Sequence, residues 1–366
     1  MTAEVRSFAK INLGLRIGLL RQDGFHQLLT VYQTLALHDV ICVSVARGSG
    51  IEVRCDDPRV PCDRSNTCYR VVEKVIHALN AKGRIMIEIR KRLPVQGGMG
   101  GASSNAIAAM LGLERALKRT LPMDERLRIA AEVGSDLPLF LIGGTVLGLG
   151  RGEQVYPLED LPGLPCVTVT PEVGVSTPQA FASWDRLCEK RLCGAGFPAR
   201  EGLPVEERDL IHQHFADKSA RHHTTTRDHA TASKLTSPLA SDRMNLLSRG
   251  FSAWLSEAYS GAPLKVRSAR GRAENPLLSL VRTGIQNDFE EVVFPEYPEL
   301  REIKKALIRA GAKYASLSGS GSTLYGLFGS RETALAAAGK LQKQGWNARA
   351  TTTLPRRAYW RRLFGG

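Results

Sequence analysis

The sequence predicts a protein of mixed helices and strands, divided into two domains. At 366 residues the chain is long enough to form two ordinary hydrophobic cores. Residues 84–89 alternate apolar and polar side chains as a strand does, and residues 106–118 carry apolar side chains at helical spacing. A proline- and glycine-containing segment at 161–165 has the composition of an interdomain connection. We therefore expect one domain before this segment and another after it.

Composition indicates a soluble globular protein, with 43% apolar and 23% charged residues. No run of about 18 apolar residues is present and the first residues lack a signal-peptide core, so we expect a cytoplasmic protein with no membrane partner. The formal net charge of +14 suits an anionic small-molecule substrate and would also suit nucleic acid. No nucleic-acid-binding module accompanies the charge, so no nucleic-acid partner is expected. The basic tail at 355–362 is interpreted as a solvated surface.

Cysteine and histidine usage favours neither a disulfide framework nor a metal site. The seven cysteines are odd in number and contain no Cys-x-x-Cys, which is typical of reduced thiols. Five of the eight histidines lie within residues 212–229, in polar sequence without hydrophobic periodicity. We interpret that stretch as a loop rather than a metal-binding tract.

A glycine-rich loop lies between the strand at 84–89 and the following helix. Four of the five residues 97–101 are glycines, and Ser103, Ser104 and Asn105 after them are good helix N-caps. A strand, a glycine loop and a helix N-terminus together present backbone N–H groups and the positive end of a helix dipole to a phosphate. The loop lacks the Gly-Lys-Ser/Thr of a Walker A sequence, and the third glycine of a dinucleotide-binding fingerprint would fall on Ser103. A simple connecting turn is the alternative interpretation, although a shorter turn would serve that purpose.

Four segments occur in an order that resembles the GHMP kinases (galactokinase, homoserine kinase, mevalonate kinase and relatives). They are Ala-Lys-Ile-Asn-Leu at 9–13, Asp-Gly-Phe-His at 23–26, the glycine loop, and Gly-Ser-Asp-Leu-Pro at 134–138. The segment Ser-Gly-Ser-Gly at 318–321 is similar to the third motif of these kinases. Asp-Gly-Phe-His favours the branch that acts on 4-diphosphocytidyl-2-C-methyl-D-erythritol. In the glycine loop, Gln96 and Ala102 replace glycines that this branch usually has.

The resemblance implies the α+β, two-domain GHMP kinase fold, with the active site between the domains. The N-terminal domain, residues 1–157, would be ribosomal protein S5 domain 2-like and would bind ATP. The C-terminal domain, residues 166–355, would be ferredoxin-like and would carry an insertion around 188–240.

The resemblance also implies the site residues. Lys10 and Asp136 would be catalytic, the lysine stabilising negative charge and the aspartate accepting the proton of the substrate hydroxyl. The substrate would contact Asn12, Phe25, His26 and Phe181. ATP would contact Asn66 and the loop residues Pro94, Val95, Gln96, Gly97, Gly98, Met99, Gly100, Gly101, Ala102, Ser103 and Ser104, and Ser104 is also a candidate Mg²⁺ ligand. Taken alone, Lys10 could be a solvated strand residue, Asn66 and Asp136 could be helix caps, and Phe181 could pack into a core.

The implied function is phosphorylation of the 2-hydroxyl of 4-diphosphocytidyl-2-C-methyl-D-erythritol by ATP with Mg²⁺, a step of the non-mevalonate isoprenoid route. The partners would be this small molecule and ATP, and the protein would be a monomer or homodimer. Another GHMP kinase of the mevalonate or homoserine type is one alternative, and a non-catalytic nucleotide-binding regulator of the same fold is another.

Overall fold

A computed structural model describes residues 2–194 and 286–365, which form ten strands and nine helices. The strands are β1 (Thr2–Leu20), β2 (His26–Ala46), β3 (Gly50–Cys55), β4 (Arg84–Arg90), β5 (Thr145–Leu149), β6 (Gln154–Pro157), β7 (Pro165–Val169), β8 (Tyr314–Leu317), β9 (Leu324–Leu327) and β10 (Ala348–Thr352). The helices are α1 (Thr67–Ala78), α2 (Gly101–Leu117), α3 (Met123–Val133), α4 (Leu139–Ile142), α5 (Thr177–Gly194), α6 (Glu290–Glu296), α7 (Pro298–Arg309), α8 (Arg331–Lys343) and α9 (Arg356–Leu363).

The first sheet has six strands in the order β3-β4-β2-β5-β6, with β1 paired to β2. β1 and β2 form one long antiparallel hairpin, closed by a tight turn in which Arg21 N–H donates to the Phe25 carbonyl. Helices α1 and α2 pack together, and α2 lies against β1 and β2. Gly112 permits this close approach, since a Cβ there would lie 2.9 Å from a methyl carbon of Val43.

The second sheet has four antiparallel strands in the order β10-β7-β9-β8. If β7, β8, β9 and β10 are renumbered 1 to 4 in chain order, their order in the sheet is 4-1-3-2. Helices lie between the first and second of these strands and between the third and fourth. This is the split βαβ arrangement of ferredoxin-like domains. The expected ferredoxin-like C-terminal domain is therefore confirmed.

The hairpin and the last helix connect the two sheets. Leu15 and Ile17, near the turn end of β1, belong to the hydrophobic core of the second sheet. Helix α9 returns to the first core, where Tyr359 and Leu363 are each 1% exposed. The interpretation of the tail as a solvated basic surface was wrong for this face, because Tyr359 and Leu363 lie four residues apart and share one side of the helix. Its arginines Arg357, Arg361 and Arg362 remain exposed.

The element boundaries follow the sequence patterns closely, with one instructive exception. The strand predicted at 84–89 is β4, which ends one residue later at Arg90. The helix after the glycine loop begins at Gly101 instead of residue 106, so Ser103, Ser104 and Asn105 lie inside it and Gly100 is its N-cap. Most of the predicted insertion at 188–240 lies outside the described residues. In the described ranges, no helix has the length and apolarity needed to cross a membrane.

Candidate active site

The glycine loop faces a cavity of about 430 Å³. Its lining includes Asn66 and residues 94–103, which is every predicted nucleotide-binding residue except Ser104. Gly100 caps α2 with a left-handed backbone (φ 69°), and no described side chain caps this helix end. The backbone N–H groups of the first turn therefore remain available to an anion, and the helix dipole favours one there.

The loop is held in place by the turn at 318–323. The Ser318 hydroxyl donates to the Gly98 carbonyl at 2.9 Å, and Thr323 N–H donates to the Gly97 carbonyl at 3.2 Å. A Cβ on Gly98 would overlap the Ser318 carbonyl oxygen and lie 2.8 Å from that of Gly321. The two backbones can meet only because residue 98 has no side chain. Asn287 steadies the turn by donating to the Leu317 and Gly319 carbonyls.

Asp39 anchors the entrance of the loop, a role that sequence reasoning missed. Its fully buried carboxylate accepts hydrogen bonds from the Lys91 ammonium at 2.6 Å and from the N–H groups of Arg92 and Leu93 at 2.6 and 2.7 Å. Lys91 lines the cavity, and its Nζ would lie 3.3 Å from a Cβ on Gly101 at the start of α2. Asp39 thus fixes both the loop and a cation beside the predicted phosphate site.

Lys10 and Asp136, far apart in sequence, form an ion pair below the loop, with Nζ 3.2 Å from Oδ2. Lys10 is on β1, where its N–H donates to the Met99 carbonyl of the loop, and a Cβ on Gly100 would lie 2.9 Å from Lys10 Cγ. Asp136 lies in the turn between α3 and α4 and is 34% exposed, whereas Lys10 is 4% exposed. Neither side chain is a solvated strand residue or a helix cap. The pair is open to a reactant on the carboxylate side.

Asn12 and Tyr32 fix the orientation of this pair. Asn12 accepts from Lys10 Nζ at 2.7 Å and donates to the Thr30 hydroxyl at 2.8 Å. Tyr32 donates its hydroxyl to Asp136 Oδ1 at 3.0 Å, and burial, with the adjacent Asp136 carboxylate, raises the pKa of Tyr32 well above its ordinary value. The phenol therefore stays protonated and remains a donor. Tyr32 was missed because nothing in the alternating pattern of β2 distinguishes it from a core tyrosine.

The predicted substrate-binding aromatics lie at the turn end of the hairpin. The His26 ring stacks on Phe181 of α5, with centroids 5.1 Å apart and planes 2° from parallel, and its Nε2 lies 3.2 Å from Asp185 Oδ1. Phe181 also packs edge-on against Phe289 at 4.9 Å. Phe25 is 51% exposed, so part of its ring at this end is accessible to a ligand. The structure thus brings His26 and Phe181 into direct contact, and packing of Phe181 against the second core is also observed.

Two predicted ATP contacts have local structural roles in this conformation. Asn66 caps α1 by accepting from Cys68 N–H at 2.8 Å, and its amide donates to the Pro61 carbonyl. Ser104 is 2% exposed, its hydroxyl accepts from the Ser7 hydroxyl at 2.8 Å, and it is not among the residues that line the cavity. The role of Ser104 as a Mg²⁺ ligand stays a prediction.

The two departures from the glycine pattern differ in backbone conformation. Gln96 has a positive φ of 58°, a region that favours glycine. Ala102 is in the first turn of α2, where its carbonyl accepts from the Thr67 hydroxyl at 3.0 Å. A residue other than glycine therefore lowers the stability of the folded backbone at position 96, whereas alanine raises helix stability at position 102.

Within residues 2–194 and 286–365, no group of three His, Cys, Asp or Glu side chains could hold a metal ion. Mg²⁺ that accompanies a nucleotide is commonly held by phosphate oxygens, water and one or two carboxylates. The arrangement is compatible with such an ion without a dedicated protein cage.

Comparison with known proteins identifies the family to which this site belongs. The profile for the GHMP kinases N terminal domain matches residues 66–144, and that for the GHMP kinases C terminal matches residues 273–347. A protein from Solibacter usitatus, named 4-diphosphocytidyl-2-C-methyl-D-erythritol kinase, is 33% identical over 98% of this chain and 92% of its own length. The chain belongs to the 4-diphosphocytidyl-2-C-methyl-D-erythritol kinases, a branch of the GHMP kinases.

Further matches agree with this membership. A relative of the same name from Acaryochloris marina is 32% identical over 91% of this chain and 89% of its own. The crystal structure of a 4-(cytidine 5'-diphospho)-2C-methyl-D-erythritol kinase superposes with a TM-score of 0.61 at 25% identity, covering 96% of this chain and 98% of the other. A homoserine kinase from Cytophaga hutchinsonii superposes with a TM-score of 0.60 at 17% identity, covering 97% and 95% of the two chains, which shows a shared fold alone. The predicted α+β GHMP kinase fold is confirmed.

Proposed function

We propose that this cleft transfers the γ-phosphoryl group of ATP to the 2-hydroxyl of 4-diphosphocytidyl-2-C-methyl-D-erythritol. The reaction follows from membership of the kinase family. The observation that supports its assignment to this cleft is the Lys10–Asp136 ion pair beneath a glycine loop and an uncapped helix N-terminus. The glycine loop and helix N-terminus suit a phosphate, and the ion pair suits a hydroxyl that must lose its proton.

The nucleotide phosphates would bind the first-turn N–H groups of α2, with Lys91 supplying a cation beside them. Phosphoryl transfer depends mainly on positioning and on neutralising charge. A rigid, uncapped helix end contributes to both, because its N–H groups are already oriented when the nucleotide arrives.

In the chemical step, the substrate 2-hydroxyl oxygen attacks the γ-phosphorus and the bond from this phosphorus to the ADP oxygen breaks. Asp136 accepts the hydroxyl proton, while the Lys10 ammonium stabilises charge on the transferring group. Tyr32 positions Asp136 and Asn12 positions Lys10, each by a hydrogen bond. His26, Phe25 and Phe181 would bind the cytosine at the turn end of the hairpin.

ATP is proposed to bind as its Mg²⁺ complex, in which the ion would supply charge neutralisation and would be held chiefly by phosphate oxygens and water. The predicted cytoplasmic location and monomeric or homodimeric state remain predictions.

The test is ADP release with Mg-ATP and each of three alcohols in separate assays: 4-diphosphocytidyl-2-C-methyl-D-erythritol, mevalonate and homoserine. We expect turnover with the first alone. Turnover with mevalonate or homoserine would keep the phosphoryl-transfer mechanism and discard the cytidine site. ATP binding without turnover of any of the three would favour the nucleotide-binding regulator.

A further inference from the structure

Arg151 lies on a tight loop between β5 and β6, at 150–153, and this loop connects the two ends of the proposed substrate site. On one side, Leu28 N–H of β2 donates to the Gly150 carbonyl at 2.6 Å, close to the hairpin turn. On the other side, Gly152 packs on the Tyr32 hydroxyl, and a Cβ there would lie 3.8 Å from Asp136 Oδ1. Both glycines have positive φ, 72° and 102°, so the chain folds sharply on either side of Arg151.

The guanidinium of Arg151 stands over the Phe25 ring, 4.9 Å from the ring centroid. Its Nε is buried and has no hydrogen-bond acceptor among the described residues. The side chain is 29% exposed, and the ion pair with Glu153 is long, with Nε 3.9 Å from Oε1. Glu153 instead accepts from the backbone N–H of Arg151 at 2.5 Å. A buried donor without an acceptor is costly, so the protein satisfies this guanidinium incompletely, and an anionic ligand could bind the part of the side chain that is exposed.

The position of this cation corresponds to the middle of the substrate. In 4-diphosphocytidyl-2-C-methyl-D-erythritol, a diphosphate joins the cytidine to the carbon chain that carries the reacting hydroxyl. The proposed cytosine-binding ring, Phe25, lies against Arg151, and the proposed proton acceptor, Asp136, lies against the next residue of the same loop. A planar guanidinium with several N–H donors matches phosphate oxygens in charge and geometry.

We propose that Arg151 binds the diphosphate of the substrate and thereby favours cytidine diphosphate esters over uncharged cytidine compounds. This inference rests on the proposed function. A purely structural arginine, which holds the loop through Glu153 and stacks on Phe25, would respond differently to the same substitution. It would affect every cytidine ligand equally, because loop position and ring stacking do not depend on the phosphates.

The experiment compares cytidine 5'-diphosphate with cytidine as inhibitors competing with the substrate, in the wild-type enzyme and in Arg151→Met. The loss of a charge-assisted contact should weaken cytidine 5'-diphosphate about 10-fold and leave cytidine nearly unchanged. Arg115→Met is the matched control, since Arg115 also stacks on an aromatic ring, Phe364, at 4.5 Å, but on the exposed side of α2. This control should leave the ratio of the two inhibition constants unchanged.

Arg151→Lys keeps the positive charge and serves if the methionine variant does not fold. We expect the lysine variant to retain part of the preference for cytidine 5'-diphosphate. If the wild-type enzyme turns over the substrate, but the Arg151 variant loses affinity equally for both ligands or for neither, the role of Arg151 alone would be overturned. A wild-type enzyme that neither turns over the substrate nor binds either cytidine compound would overturn the proposed function itself.

Discussion

The two halves of the proposed site are built from different materials. The phosphate half consists mainly of backbone: the N–H groups of α2, the glycine loop and the 318–323 turn that meets it, with Lys91 as a side-chain cation beside them. The hydroxyl half consists of side chains, Lys10, Asn12, Tyr32 and Asp136, brought together from separate segments. Backbone can be supplied by many sequences that permit the required φ and close approach. The proton acceptor and the cation of the hydroxyl half require particular side chains. Substitutions in the hydroxyl half should therefore reduce turnover, whereas substitutions in the phosphate half should reduce nucleotide binding.

Asp136→Ala should cause the largest change, because it removes the proton acceptor and leaves Lys10 without its ion-pair partner. We expect turnover to fall at least about 10³-fold and ATP binding to remain, since the nucleotide half is untouched. Steady-state ADP release and calorimetric titration with ATP measure the two quantities. Near wild-type turnover in this variant would sink the assignment of Asp136.

Gly98→Ala tests the backbone half. The added methyl would overlap the Ser318 carbonyl and would require a positive φ of 73° for alanine. We expect ATP affinity to fall by about 10-fold or more, since a displaced loop would lose a hydrogen bond to a charged phosphate, worth about 1.5–3 kcal/mol. Gly339→Ala is the matched control because its added Cβ would have no atom within 4 Å apart from the adjacent residues and the backbone of its own helix. If the two variants bind ATP equally well, the loop does not need its close approach to the 318–323 turn.

Asp39→Asn tests whether the loop entrance must be anchored by charge. The amide cannot neutralise the buried Lys91 ammonium, and removal of one partner from a buried ion pair is strongly destabilising. We expect the KM for ATP to rise about 10-fold with a smaller change in kcat, together with a lower melting temperature. Glu125→Gln removes one partner of the exposed Glu125–Arg128 pair and should change neither quantity measurably. A lower melting temperature with an unchanged KM would assign Asp39 to folding alone.

The smallest effects concern the two residues that replace glycines in the loop. Gln96→Gly should raise the melting temperature slightly, because glycine relieves a left-handed backbone strain of about 1–2 kcal/mol. The larger conformational entropy that glycine loses on folding offsets only part of this gain. Ala102→Gly should lower it, because glycine is about 1 kcal/mol less favourable than alanine in a helix. Thermal unfolding of both variants checks the sign. Shifts in the same direction would contradict this account of the loop.

The local features of the phosphate half could be predicted from sequence. Strand alternation, four glycines and a helical apolar pattern identify β4, the loop and α2 without long-range information. The start of α2 was misplaced because serine and asparagine are intrinsically good caps, whereas the observed cap is Gly100 in a left-handed conformation. Which residue caps α2 depends on how the loop packs against the 318–323 turn, and local sequence does not reveal that packing.

The hydroxyl half could not be predicted from local sequence, because it is formed by contacts between distant segments. Lys10 and Asp136 were expected to meet only through the family resemblance, and no local pattern shows their 3.2 Å separation. Asp39 carries no signal in its own strand, because its importance comes from Lys91 and the loop that follows β4. For α9 a signal was present: an aromatic and a leucine four residues apart among arginines indicate one buried helix face.

The most direct test of the central claim is to find where the phosphoryl group goes. Phosphorus NMR of the wild-type enzyme with Mg-ATP and 4-diphosphocytidyl-2-C-methyl-D-erythritol would follow substrate, product and ADP together. We predict one new phosphate monoester resonance without three-bond splitting by a proton, because the carbon that carries the 2-hydroxyl also carries the methyl group and has no hydrogen, with the diphosphate of the substrate intact and one ADP formed per product. Release of inorganic phosphate without a new ester, or a phosphoryl group on any oxygen other than the 2-hydroxyl, would contradict the account.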